Sequence, residues 1–300
     1  MSKESKGTIM VLTAGIAWGI SGVSGQYLMG HGINVNLLTT LRLLVSGLVL
    51  TALAYMNQKE ILIALIRQKK ALLGVLLFSL TGLLMNQYAY LNAIKETNAG
   101  TATVLQYLTP VLILAFICLK NRTKPTMLEV IAILLAIFGT YVMATHGRWD
   151  SLAITPNGLF WGLLSAVTYA LYILIPARLI REWGSLPVIG LGMLMGGVIF
   201  PVLTQSWQYQ VVMSTGNILA FFGIIGIGTL FAYTFFLKGT TLVGPVKGSL
   251  LASVEPVASV FFSVLIMRES FYPIDFLGMI CIFLAVLLIS VKDLVASKSA

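Results

Sequence analysis

The sequence predicts an all-α integral membrane protein with ten transmembrane helices arranged as two inverted five-helix repeats. Three observations lead there: the composition, the number and length of the apolar runs, and an internal duplication. Of 300 residues, 58% are hydrophobic and only 10% are charged. Soluble domains carry about 45–50% apolar and about 25% charged residues. A single soluble globule, a disordered chain, a collagen-like chain and a disulfide scaffold are all excluded. In a soluble chain the net charge of +9 would point to nucleic acid. Here the charges are sparse and flank apolar runs, so they read as topology signals. The bilayer is the expected partner, and no nucleic acid is.

A helix needs about 20 apolar residues to cross the hydrocarbon core. Ten such runs follow one another: 7–29, 34–56, 70–93, 98–120, 126–145, 157–180, 185–205, 216–237, 245–267 and 273–292. The first follows Lys3 and Lys6 but is too long for a signal peptide, lacks a small-residue cleavage site and leads directly into another span. Gly15 and Gly19 there, and Gly192 and Gly196 in the seventh, have the spacing of a helix-packing face. The second run contains Arg42, toward its outer end. The third is polar in its outer third, with Asn86, Gln87, Tyr88 and Tyr90. Gln106, Tyr107 and Pro110 lie near the middle of the fourth. Trp161, Ser165, Tyr169 and Tyr172 share one face of the sixth, at steps of four and three. Tyr233 lies in the eighth, and the ninth holds Glu255-Pro256.

The connections are short and leave no room for a soluble domain. Of 19 Lys and Arg, only Lys95, Arg148 and Arg268 fall on one side, Arg42 falls within a span, and all the others fall on the opposite side. The positive-inside rule makes that populated side cytoplasmic and puts both termini there.

Ten is twice five. Placing Pro110 on Pro256, an offset of 146 residues, superposes two proline-containing helices and sets Leu128-Glu129 on Ile274-Asp275. Ala17-Trp18-Gly19 corresponds loosely to Thr168-Tyr169-Ala170. The expected repeats are residues 1–146 and 155–293. An odd number of spans in each half inverts the second relative to the first, an arrangement used by transporters.

The two repeats, the Trp18 region, Arg42 early in span 2, the Pro110 and Pro256 helices and Arg268-Glu269 closing span 9 resemble the EamA-type drug/metabolite transporter superfamily. The resemblance covers nearly the whole chain and is greatest to the LicB-type bacterial choline importers. It implies import of choline, or a related quaternary amine, across the bacterial cytoplasmic membrane by alternating access, with coupling to protons as a family expectation.

Of ten acidic residues, only Glu255 falls near the middle of a span. A carboxylate at that depth costs roughly 2.5–3.5 kcal/mol to insert and marks a functional site by default. It is either a cation holder and proton carrier or a neutral acid bonded to a neighbouring helix. Proline removes the helical partner of the carbonyl four residues back, here Ala252 for Pro256 and Gln106 for Pro110. A quaternary ammonium has no N–H to donate and is held by aromatic faces beside an anion. Trp18, Trp161, Tyr169 and Tyr233 are the expected walls, Glu255 the counter-charge, and Tyr88, Asn86 or Gln106 the partner of the choline hydroxyl. Ammonium binding at Glu255 competes with protonation there, so one carboxylate serving both favours exchange.

No Walker A pattern occurs, and Gly223, Gly226 and Gly228 do not fit a dinucleotide fingerprint. His31 and His146 fall near outer loops, and Cys118 and Cys281 have no metal-ligand spacing. No cofactor, no metal and no enzymatic activity are expected. The alternatives are an exporter of amino acids, other small metabolites or cationic drugs, and a channel or receptor without alternating access. The oligomeric state is open, a monomer being compatible with the sequence.

Overall fold

The computed structural model describes residues 2–148, 152–211 and 213–298. Asp150, expected in the connection between the halves, lies outside the described residues. Eight helical segments are long and apolar enough to cross a membrane. They are α1 (Lys3–Gly30), α2 (Val35–Arg67), α3 (Lys69–Glu96), α4 (Ala99–Asn121), α5 (Met127–Thr145), α6 (Pro156–Trp183), α7 (Ser185–Thr204) and α8 (Thr215–Val243). Two further stretches complete the bundle: α9, in two pieces Pro245–Ala252 and Val254–Met267, and α10, Pro273–Lys298.

Polar side chains close the helix starts. Asn34 accepts from the Asn36 amide at 2.8 Å, Asn98 from Thr101 at 2.8 Å and Thr155 from Gly158 at 3.0 Å. Each satisfies an amide that the first turn leaves without a partner. α2 runs beyond the expected 34–56. The stretch Asn57–Arg67 contains no Gly or Pro to stop it, and Leu62 and Leu65 are buried, so the helix continues with a bend at Gln58 (φ −143°, ψ 41°).

The backbone carries the duplication in its irregularities. α3 and α8 both contain π-helical turns, at Ser79–Leu84 and Phe222–Phe231. α4 breaks at Tyr107 and α9 at Ser253, positions related by the same offset of 146 as Pro110 and Pro256. Arg122 and Arg268, again 146 apart, end their helices in the left-handed region at φ 52° and 57°. The Thr126 amide donates to Glu129 at 2.6 Å, and the Tyr272 amide donates to Asp275 at 2.9 Å.

Helix contacts obey the same exchange. α1 packs on α8 and α9, and α6 packs on α3 and α4. α2 packs on α7, α5 on α10, and α4 on α9. Swapping α1–α5 with α6–α10 maps this pattern onto itself. Glycines set the closest approaches. A Cβ on Gly139 would strike the carbonyl of Gly278, and one on Gly278 would strike the carbonyl of Gly139. Gly47 and Gly197 meet the backbone of Leu194 and Leu44 in the partner helix. Gly15 and Gly19 pack on α9, and Gly192 and Gly196 on α3, in line with the packing role their spacing predicts.

Gly47→Ala must push α2 off α7, because the new methyl meets backbone rather than a movable side chain. The expected cost is about 1–3 kcal/mol, read as a lower melting temperature of the purified protein. Gly30→Ala, with open space around it, is the control and leaves melting unchanged.

Candidate functional site

The breaks in α4 and α9 meet in the middle of the bundle. Pro256 has no amide for the Ala252 carbonyl, and the Tyr107 hydroxyl lies 3.1 Å from that oxygen. Pro110 does the same to Gln106, whose carbonyl accepts from Thr109 Oγ1 at 2.7 Å. Both freed carbonyls are therefore taken by side chains of α4.

Tyr107 also lies 3.0 Å from Glu255 Oε2. Glu255 is in the first turn of the second piece of α9 and is 9% exposed. A phenol has one proton to give. When Glu255 is ionised, Tyr107 donates to it and releases Ala252. When Glu255 is protonated, it can donate to Tyr107, which then donates to Ala252. The protonation of the carboxyl is thereby linked to the hydrogen bonding of the helix break.

Beside Glu255 is a cavity of about 260 Å³, just under the usual range of about 300–1,000 Å³ for small-molecule pockets. Trp18, Asn86, Gln106, Tyr169, Tyr233 and Glu255 all line it. The structure thus brings together six of the eight residues picked from sequence. Asn86 Oδ1 accepts from Gln106 Nε2 at 3.1 Å, which holds two of them on one wall. Tyr169 stacks on Tyr172 with centroids 5.6 Å apart, and the Tyr172 hydroxyl donates to Tyr233 at 3.0 Å. Trp18 meets Tyr233 edge-on at 5.8 Å and Phe236 at 5.1 Å. The other two residues lie elsewhere. Trp161 packs edge-on against Tyr88 at 5.6 Å, and Tyr88 lines a separate crevice with Asn34, Asn36, Asn92 and Lys95.

One residue absent from that set lines the cavity as well. Arg42 is 8% exposed, and its Nε donates to Thr229 Oγ1 at 3.1 Å. Thr229 in turn donates to the Ile224 carbonyl at 3.0 Å, within the π-helical turns of α8. The signal in the sequence was an arginine eight residues into an apolar helix. Its place toward the outer end of its span leaves it outside the expected walls, although it is the nearest cation the sequence offers to a zwitterion's carboxylate.

The cavity lining extends to Pro176, Ile180, Ser185 and Leu237, toward the end of the bundle where α1 begins. At the opposite end the helices are joined by polar contacts. Gln26 donates to Glu269 at 2.6 Å and accepts from the Ala99 amide at 2.9 Å. The Gly100 amide donates to Ser263 at 3.1 Å, and Ser259 donates to the Ala99 carbonyl at 2.9 Å. Tyr90, Thr103 and Ser259 form a hydroxyl chain behind them, at 2.7 and 3.0 Å. The central cavity thus reaches toward one end of the bundle, while polar contacts tie the helices together at the other.

Fold and cavity describe a multi-pass membrane transporter. The chain belongs to the EamA-like transporter family, whose profile matches it twice, over residues 5–145 and 156–291. It is similar to the uncharacterized inner membrane transporter YicL of Salmonella typhimurium, at 38% identity over 100% of both chains. It is also similar to the uncharacterized transporter YetK of Bacillus subtilis, at 27% identity over 93% of this chain and 86% of that one. A solved crystal structure shares the fold, with a TM-score of 0.64 at 20% identity, covering 95% of this chain and 96% of that chain.

Tyr107→Phe leaves both Ala252 and Glu255 short of a partner. An unsatisfied buried group costs about 1–3 kcal/mol, so the melting temperature of the purified protein should fall. Tyr141→Phe, whose side chain is 41% exposed, should leave it unchanged.

Proposed function

We propose that the protein is a secondary carrier of a small organic ammonium compound in the bacterial inner membrane, with ten spans and both termini in the cytoplasm. Choline is the member of that class to which the LicB-type resemblance points. The observation that carries the reading is the buried Glu255 carboxylate beside Trp18, Tyr169 and Tyr233 on one cavity. Aromatic faces and a single anion hold a cation that has no N–H to offer. Support for ten spans comes from the repeated break: α9 is divided at Ser253 as α4 is at Tyr107, so each half contains one discontinuous helix. Support for the cytoplasmic termini comes from the placement of Lys and Arg. The name of the Salmonella relative is consistent with the inner membrane.

The membrane potential is a sufficient driving force. Entry of one positive charge gains about 2.3 kcal/mol per 100 mV. At about 1.4 kcal/mol per tenfold, this sustains an accumulation of roughly 50-fold. Proton exchange at Glu255 and Tyr107, a cation replacing the proton on the carboxylate, is the alternative coupling, and because it moves no net charge it is distinguished from potential-driven entry by its indifference to the membrane potential.

Uptake of radiolabelled choline into proteoliposomes tests the reading. Saturable uptake stimulated by an inside-negative potential is expected, with a loss of at least tenfold in Glu255→Gln. Absence of uptake, with no binding of choline or related ammonium compounds, overturns it. For topology, a membrane-impermeant maleimide applied to cells should label a cysteine introduced at Lys95 and not one at Lys59. The reverse pattern inverts the orientation.

A further inference from the structure

We propose that Arg42 forms a second, anion-holding subsite of this cavity, so that the preferred solute is a zwitterion with its ammonium group at Glu255 and its anionic group at Arg42. The inference rests on the ammonium reading above and deepens it.

Arg42 and Glu255 are both more than nine-tenths buried and both line the one cavity. No ion pair joins them among the described residues. Each is held from behind and has unspent capacity in front. Glu255 is held through Oε2 by Tyr107. Its Oε1 makes no hydrogen bond among the described residues and is not sealed. Arg42 is held through Nε by Thr229. Its two Nη groups likewise make no hydrogen bond among the described residues and are not sealed. An arginine used only to prop the π-helical turns of α8 would need the Nε contact alone. The free Nη pair is the planar fork that binds carboxylate or phosphate bidentately.

The charges decide between solute classes. With both groups ionised, the cavity carries one positive and one negative charge. A plain cation is attracted by Glu255 and repelled by Arg42, and it leaves a net positive charge in a site of low dielectric. A plain anion meets the mirror-image penalty. A zwitterion finds a partner for each end and leaves no net charge. The zwitterion can come from two sources, a quaternary betaine or an α-amino acid, and the test separates them.

Choline and glycine betaine share a trimethylammonium group and differ at the other end, one a hydroxymethyl and the other a carboxylate. Binding of each to the purified full-length protein, with a set of neutral α-amino acids as the third arm, is measured by isothermal titration calorimetry. The expected result is at least tenfold tighter binding of one zwitterionic arm than of choline. Betaine as the tighter arm assigns a quaternary solute, and the amino acids as the tighter arm assign a primary amine. Arg42→Gln should weaken the zwitterion at least tenfold and tighten choline, while Glu255→Gln weakens both. Arg42→Lys, which keeps the charge, should retain the preference and serves if the glutamine variant does not fold. Choline binding as tightly as every zwitterion in the wild type overturns the anion subsite and leaves the ammonium reading standing. Equal weakening of choline and zwitterion in Arg42→Gln does the same. No binding of choline, betaine or amino acids overturns both.

Discussion

A carbonyl stripped of its helical partner in the middle of a bilayer has no water to turn to, and the bundle is organised around two of them. Pro110 and Pro256 each free one, at matched places in the two halves. In a hydrocarbon setting irregular backbone survives only where protein or a polar cavity supplies the missing bonds. Both repairs come from α4: Thr109 on Gln106, and Tyr107 on Ala252. The second repair binds the halves together at their centre, since Tyr107 belongs to the first half and Ala252 to the second. Glu255 lies three residues beyond the repaired carbonyl, so the group that can change its charge sits at the weakest point of the helix.

This arrangement requires helices that come unusually close. Apolar side chains gain little from leaving lipid for one another, so association depends on fit. The fit is made by glycines at the self-paired contacts, α2 with α7 and α5 with α10. Those pairs exchange with themselves when the halves are swapped, so close packing there fixes the axis that relates the halves. α1 and α6, the first helices of each half, cross toward the opposite half and supply Trp18 and Tyr169 to the cavity. The site is consequently built from both repeats and changes shape if one moves against the other.

Much of this was legible in the chain because a membrane imposes few solutions. Run length located the helices, and the matched prolines located the breaks. The one mid-span carboxylate identified Glu255, and steps of four and three placed Tyr169 and Tyr172 on one face. Which of these side chains share one cavity depends on depth along each helix, and there the sequence offers only an ordering from the outer mouth to the inner one. Trp161 shares the face of Tyr169, yet it lies eight residues along the helix, about 12 Å at 1.5 Å per residue. That distance takes it out of the cavity and against Tyr88. Arg42 enters the cavity for the opposite reason. Its position along the span looked peripheral, but a side chain that long reaches inward from an outer turn. The π-helical turns of α8, which present Thr229 to receive it, have no proline or other strong marker in the sequence. Helix contacts across the repeat, not any local pattern, bring these groups together.

On the carrier reading proposed above, the presence of Arg42 and Glu255 on one cavity also bears on the empty state. A lone buried charge would have to move through low dielectric each time the bundle changed state, at a cost of several kcal/mol. Two opposite charges on one cavity make a dipole instead, and the return step carries no net charge through the field. A zwitterion preserves that balance when it binds, so loaded and empty forms have the same net charge. A plain cation breaks it, and the loaded form alone then responds to the membrane potential. On that proposal the same two residues link which solute is accepted to whether its movement is electrically driven. The polar contacts at Gln26, Ala99 and Glu269 lie on the far side of the cavity from its open lining. They join α1 and α4 of one half to the end of α9 of the other, so movement of the repeats that opened this end would have to break those bonds.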